Sequence, residues 1–303
     1  VNFRQKLIEA SRKNSSWLCV GLDPDPAKIP DGQRKGPKAV IKFNKAVIEA
    51  TSDLVCAYKP NAAFYESMGS EGWEILKKTI DFVPDHIPVI LDSKRGDIGN
   101  TAAMYARSAF EHLGVDAVTV NPLLGGDSVE PFTRYRDRGI FVLCLTSNPS
   151  SDDFQKKLLL LEDPPEPGLA TPQSKARTFA EFFGASTSSL YLYIARLAVE
   201  WNVQSNIGLV VGATAPAELE EARKTIGEEM PILIPGVGAQ GGDLERSVVS
   251  GSNSSGELAI VNVARGIIYS WKEARHWKKE VRETAEMFRN RIEKATVEKI
   301  RAK

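Results

Sequence analysis

The sequence predicts an α/β protein of the (β/α)8, or TIM-barrel, class, with a long insertion after strand five. Three observations predict it. Short β-branched or apolar runs recur eight times along the chain. Nearly every run is followed by a turn and then a longer stretch of helical periodicity. Strands linked through helices pair in parallel, and right-handed crossovers close eight such units into a barrel. A length of 303 residues would also accommodate two domains of about 150 each. The repeated strand-and-helix rhythm favours a single barrel over residues 1–303 instead.

In chain order the strands are WLCVGLD ending at Asp23, LVCAYKP around Lys59, IPVILDSK ending at Lys94 and DAVTVNP ending at Pro122. IFVLCLT ending at Thr146, NIGLVVGA ending at Ala213, PILIPGVG around Pro235 and LAIVNVAR ending at Arg265 complete the set. Between them AVIKFNKAVIEA, GWEILKKTIDFV, TAAMYARSAFEHL, LYIARLAVEWN and PAELEEARKTI space apolar residues about one helical turn apart. Pro216 stands at a first helical position, a start signal. A charged amphipathic tail, about Trp271 to Lys303, is expected to pack outside the barrel as the last helix. One stretch breaks the rhythm: residues 150–188 are rich in Pro, Glu and Gly and hold no convincing strand, so they read as the insertion. A lid and a decorative excursion are both open for it.

Apolar residues at 42% and charged residues at 26% exclude wholesale disorder. Thirty-nine basic against thirty-nine acidic residues leave no net charge. That gives no electrostatic footprint for nucleic acid or an anionic membrane, so any anion site must be local. No uncharged apolar run approaches a membrane span of ~18 residues, and the opening segment lacks a secretory apolar stretch, so a cytoplasmic protein is expected. Cys19, Cys56 and Cys144 lie in β-like runs and are expected as buried free thiols in a reducing compartment. His86, His112 and His276 lack ligand spacing, and no metal site is expected.

A barrel carries its chemistry at the C-terminal ends of its strands. Asp23, Lys59, Asp92 and Lys94 fall there, and Asp97 follows in the turn. Residues two apart on a strand share a face, so Asp92 and Lys94 can both enter the mouth while Ser93 turns away. A surface ion pair is the ordinary reading of such a motif. Four charges alternating in sign near one mouth (Lys59, Asp92, Lys94, Asp97) favour a functional network instead. A lysine among carboxylates stays cationic, which suits proton donation better than imine formation. A second constellation lies at the last two strands. PGVGAQGGD, residues 235–243, offers approachable backbone N–H groups and the Gln240 amide. Arg265 and Gly266 open the turn after strand eight, the frequent phosphate site of this architecture.

LDSKRGDIGNTA, Leu91 to Ala102, resembles the Asp-x-Lys-x-x-Asp-Ile signature, followed by threonine, of the orotidine 5'-phosphate decarboxylase family. GLDPDP, YKPNAAFYE, TSNPS, VVGATAPAEL, PGVGAQGGD and the Arg265 segment add matches in family order across residues 18–266. The resemblance implies conversion of orotidine 5'-monophosphate to uridine 5'-monophosphate and CO2 in de novo pyrimidine biosynthesis, without a cofactor. It implies that Lys59, Asp92, Lys94 and Asp97 form the catalytic charged network and that Lys94 delivers the proton. It further implies a homodimer in which Asp97 and Thr101 enter the neighbouring subunit's site. Asp23 and Lys59 are implied to hold the ribose, Ser147 the pyrimidine edge, Ile98 and Pro235 an apolar wall, and Gln240 and Arg265 the phosphate. Two features depart from the common family pattern: Ala264 stands where many members have glycine, and the insertion is long. Three rival readings follow from the residues: an imine-forming aldolase using Lys59 or Lys94, a metal-dependent sugar-phosphate decarboxylase sharing Asp-x-Lys-x-x-Asp, and a catalytically silent nucleotide-binding barrel.

Overall fold

Eight parallel strands make one continuous sheet in the computed structural model, which describes residues 2–30, 36–160, 187–238 and 241–301. The strands are β1 (Leu18–Leu22), β2 (Ala57–Pro60), β3 (Ile90–Arg95), β4 (Ala117–Val120), β5 (Gly139–Leu145), β8 (Ile207–Val211), β9 (Ile232–Ile234) and β10 (Ala259–Val263). Their order is β2-β1-β10-β9-β8-β5-β4-β3. Parallel bridges Tyr58↔Val89 and Asn61↔Asp92 join the two edges and close the barrel. Strands β1, β2, β4, β8, β9 and β10 are buried along their whole length, as near-continuous apolar runs covered on both faces must be.

The expected helices form at Pro37–Thr51, Ser70–Asp81, Gly99–Arg107, Leu190–Trp201 and Pro216–Ile226. The third continues as a π-helical turn over Ser108–Leu113. The tail helix runs from Trp277 to Arg301, later than Trp271, because a short 3-10 turn at Ala274–His276 precedes it. It buries Trp277, Val281, Ala285, Phe288, Ile292 and Ala295, a stripe of three- and four-residue steps. Trp277 stacks on Phe43 of helix Pro37–Thr51 at 5.1 Å.

Two features correct the sequence reading. The insertion does contain strand structure at its base. There β6 (Leu158–Leu160) pairs antiparallel with β7 (Thr187–Ser189), and residues 161–186 lie outside the described residues. A helix at Phe3–Asn14, not among the elements expected above, sits beneath the barrel. Its N-terminus is a capping box: Gln5 N–H donates to Asn2 Oδ1 (2.9 Å) and Asn2 N–H to Gln5 Oε1 (3.1 Å). Phe3 meets Phe141 of β5 edge-on at 5.7 Å. No described helix is long and apolar enough to cross a membrane.

Candidate active site

The C-terminal ends of β2 and β3 bring Lys59, Asp92 and Lys94 together. Lys59 Nζ donates to Asp92 Oδ2 at 2.7 Å, and Lys94 Nζ donates to Asp92 Oδ1 at 2.6 Å. The Lys59 and Asp92 side chains are buried, while that of Lys94 is 47% exposed and reaches the cleft. Burial pulls the Lys59 ammonium down, but Asp92 and Asp23 outweigh it and hold its pKa above the ordinary lysine value. Burial likewise pushes the Asp92 carboxyl up, and Lys59 and Lys94 overcome that and keep it well below the usual carboxylate range. Lys59 and Asp92 are therefore both charged at neutral pH. Removing one partner of such a buried pair costs about 3–5 kcal/mol, because the other is left uncompensated.

Strand β3 is irregular where these residues sit. Its register with β4 passes from Leu91↔Val118 directly to Arg95↔Val120. Lys94 takes φ +48°, a left-handed conformation that costs a side-chain-bearing residue roughly 1–2 kcal/mol. The Lys94 N–H donates to Thr119 Oγ1 at 2.9 Å, and Thr119 Oγ1 donates to Asp92 Oδ1 at 3.0 Å. Sequence alternation placed Asp92 and Lys94 on one side; in the structure the strand is irregular between them, Lys94 lines the cleft, and Asp92 lies behind it, holding the ammonium.

That cleft, about 390 Å³, is lined by Lys94, Leu143, Ser147, Pro235, Asn262 and Arg265 among others. Gly212 lets β8 approach β5: a Cβ there would stand 2.8 Å from the Ser147 Cα. Gly21 similarly admits Ala264, since an added Cβ would come within 2.4 Å of the Ala264 Cβ. The departure from the family's glycine at residue 264 is thus accommodated by a glycine on the neighbouring strand β1. Two buried polar atoms here, Asp23 Oδ1 and Asn262 Oδ1, have no hydrogen-bond partner. Burial raises the Asp23 carboxyl above its ordinary value, with Lys59 opposing and Asp92 reinforcing the shift.

The other predicted residues are more dispersed. Asp97 is half-buried and accepts the Ile98 N–H at 2.8 Å, with no ion pair among the described residues. Ile98 and Thr101 are exposed at the start of helix Gly99–Arg107. Gln240 lies outside the described residues. Thr119 and Asn262 were not singled out from the sequence. Their signal is a lone polar residue inside an otherwise apolar strand, in VTV and VNV. Cys19, Cys56 and Cys144 are buried free thiols, as expected. Among the described residues no group of three or more His, Cys, Asp or Glu is placed to hold a metal.

Comparisons with known proteins agree with this geometry. The model of the Orotidine 5'-phosphate decarboxylase / HUMPS family matches residues 16–279. An orotidine 5'-phosphate decarboxylase of Herpetosiphon aurantiacus is 48% identical over 269 residues, 88% of this chain and 90% of that protein. One of Dehalococcoides mccartyi is 45% identical over 292 residues, 96% and 97% of the two chains. Among solved structures, Leishmania donovani OMP decarboxylase superposes with a TM-score of 0.77 at 36% identity, covering 98% of this chain and 99% of that one. A Toxoplasma gondii chain described as an orotidine-monophosphate-decarboxylase gives 0.84 at 33% identity, covering 99% and 98%. The family model over residues 16–279 and the two near whole-length relatives, both named as orotidine 5'-phosphate decarboxylases, show that this chain, with its lysine–aspartate–lysine network at the barrel mouth, belongs to the orotidine 5'-phosphate decarboxylase / HUMPS family, on its decarboxylase branch.

Proposed function

We propose that the chain converts orotidine 5'-monophosphate to uridine 5'-monophosphate and CO2 with fixed charges alone, Lys94 being the proton donor. The bond from C6 to the carboxylate breaks, its electron pair stays on C6, and CO2 departs. The Lys94 ammonium stabilises the developing charge and then gives C6 its proton, and the neutral amine is reprotonated from solvent. Asp92 orients that ammonium and crowds the departing carboxylate, and Lys59 holds Asp92 from behind. The observation that carries this reading is the Lys94 ammonium, held 2.6 Å from buried Asp92 and lining the cleft.

The remaining roles follow from position and chemistry. Asp23, whose Oδ1 is buried without a partner, and Lys59 take the ribose hydroxyls. Ser147 takes the pyrimidine edge, Pro235 and Ile98 supply apolar contact, and Arg265 with Gln240 takes the phosphate. The phosphate is remote from C6, so its binding energy can organise the charged network. Asp97 and Thr101 serve the site of a second subunit in a homodimer. Supporting this, Ile98, Met104, Leu123 and Leu124 expose 53–66% of their surfaces on neighbouring elements beside Asp97. Mixing Lys94→Ala with Asp97→Ala protein should regenerate one intact site per heterodimer, and no recovery despite subunit exchange would refute site sharing.

The direct test mixes purified protein, orotidine 5'-monophosphate and excess chelator and follows the ultraviolet absorbance. Chelator-insensitive turnover is expected. A stable complex without turnover would favour the silent barrel, chelator sensitivity the metal-dependent reaction, and borohydride trapping with a carbonyl substrate the aldolase.

A further inference from the structure

We propose that Thr119 is a positioning residue of the decarboxylation: its hydroxyl is a strut that fixes both Asp92 and the backbone of Lys94. The inference rests on the reading of Lys94 given above and extends it to a residue outside the cleft lining.

The register carries the argument. Between Leu91↔Val118 and Arg95↔Val120, the three residues Asp92, Ser93 and Lys94 stand opposite Thr119 alone. A bulge of this kind deprives backbone N–H groups of their ladder partners. The Lys94 N–H finds its replacement on Thr119 Oγ1, at 2.9 Å. A hydroxyl has one proton, and this one goes to Asp92 Oδ1 at 3.0 Å. The directions are fixed by chemistry, because an amide N–H can only donate and an ionised carboxylate can only accept. Asp92 Oδ1 also accepts the Lys94 ammonium at 2.6 Å. The result is a closed loop from the Lys94 backbone through Thr119 and Asp92 to the Lys94 side-chain nitrogen. It holds one residue at both ends while its φ stands at +48°, a conformation that needs external support.

Packing does not call for threonine at this place. Thr119 is 1% exposed between Val118 and Val120, where valine would have the same shape and no hydroxyl to desolvate. The hydroxyl is accounted for by its two hydrogen bonds. Lys59 holds only the other oxygen of Asp92, Oδ2, at 2.7 Å. Without Thr119, Oδ1 keeps only the Lys94 ammonium, the group it has to position, and the Lys94 N–H loses the acceptor that supports its left-handed conformation.

The test compares Thr119→Val, Thr119→Ser and Lys94→Ala by steady-state kinetics on orotidine 5'-monophosphate. Thr119→Val is expected to lower kcat by about 10- to 100-fold through misplacement of the ammonium. KM should stay within about twofold, because a loss confined to the chemical step leaves ground-state binding intact. Thr119→Ser, which keeps the hydroxyl, is expected to restore most of kcat. A purely structural residue would produce neither the kcat-only loss nor the rescue. If Thr119→Val does not fold, Thr119→Cys, similar in size and a weak hydrogen-bonding group, replaces it with the same expectation. An inactive Lys94→Ala beside a Thr119→Val with wild-type kcat, or with only KM raised, overturns the strut and leaves the Lys94 reading standing. A Lys94→Ala protein with normal turnover overturns both.

Discussion

The two ends of the barrel are built on opposite terms. At the N-terminal end, helix Phe3–Asn14 covers the strands, and nearly every polar group there has a partner. Phe3 N–H donates to the Asp137 carbonyl at 2.9 Å. Lys6 pairs with Asp116 at 2.6 Å, and the other Asp116 oxygen accepts the Val89 N–H at 2.8 Å. The buried Arg223 guanidinium donates to the carbonyls of Gly227, Met230, Gly251 and Leu258, and burial pushes its pKa down to about 10. Asn206 leaves Oδ1 without a partner, but its amide nitrogen donates to two carbonyls. At the C-terminal end, by contrast, two buried oxygens of the cleft region, Asp23 Oδ1 and Asn262 Oδ1, are unmatched, and the Lys94 and Arg265 side chains line the open cleft. The lower end holds the fold together, and the upper end keeps polar groups ready for a ligand.

Substitutions at the two ends should therefore separate activity from stability. The largest effect is expected from Lys94→Ala, a loss in kcat of at least about 10³-fold from removing both the proton donor and the charge stabilisation. Its melting temperature should fall less than that of a Lys59 variant, because the Lys94 side chain is 47% exposed and buried Asp92 keeps the Lys59 ammonium at 2.7 Å. Next comes Phe3→Ala at the opposite end. It is expected to cost about 3–5 kcal/mol in denaturant unfolding, with kcat unchanged while the protein stays folded. A loss of kcat without a loss of stability there would break the division.

Asp23→Asn is the smallest effect and has the opposite sign. The Asp23 carboxyl is raised by burial, so its folded-state pKa lies above the unfolded one. Its contribution is present below the ordinary carboxylate value and lost as pH rises through the folded value, so above the ordinary carboxylate range this carboxyl disfavours the folded state. Asn at this position should raise Tm by about 2 °C at neutral pH, weaken nucleotide binding, and lose its advantage in acid. Asp92 behaves in reverse. Its pKa is depressed, so its contribution is present above the ordinary carboxylate value and is lost as pH falls below it.

The parts of this molecule that were legible in the sequence are those written in contiguous residues. The eight strands show as apolar runs, and the charges of Asp23, Lys59, Asp92 and Lys94 show because they close those runs. Illegible were features that depend on pairing between distant segments. The bulge at Asp92–Lys94 exists only in register with β4, so Thr119 read as one more β-branched residue. Leu158–Leu160 finds its partner, Thr187–Ser189, across the intervening insertion. FRQKLIEASRKN was legible in part, since Asn2 and Gln5 have capping-box spacing and Phe3, Leu7 and Ala10 share a face, but what it covers is set by Phe141, more than a hundred residues away.

The proton-transfer role of Lys94 is tested most directly in the reverse direction, from product. Protein incubated with uridine 5'-monophosphate in deuterium oxide should exchange the hydrogen on C6 for deuterium, visible by proton NMR, because the donor that quenches the ring anion must also be able to form it. Exchange in the wild-type protein that disappears in Lys94→Ala, with nucleotide binding retained, is the predicted result. Undiminished exchange in that variant would contradict the account.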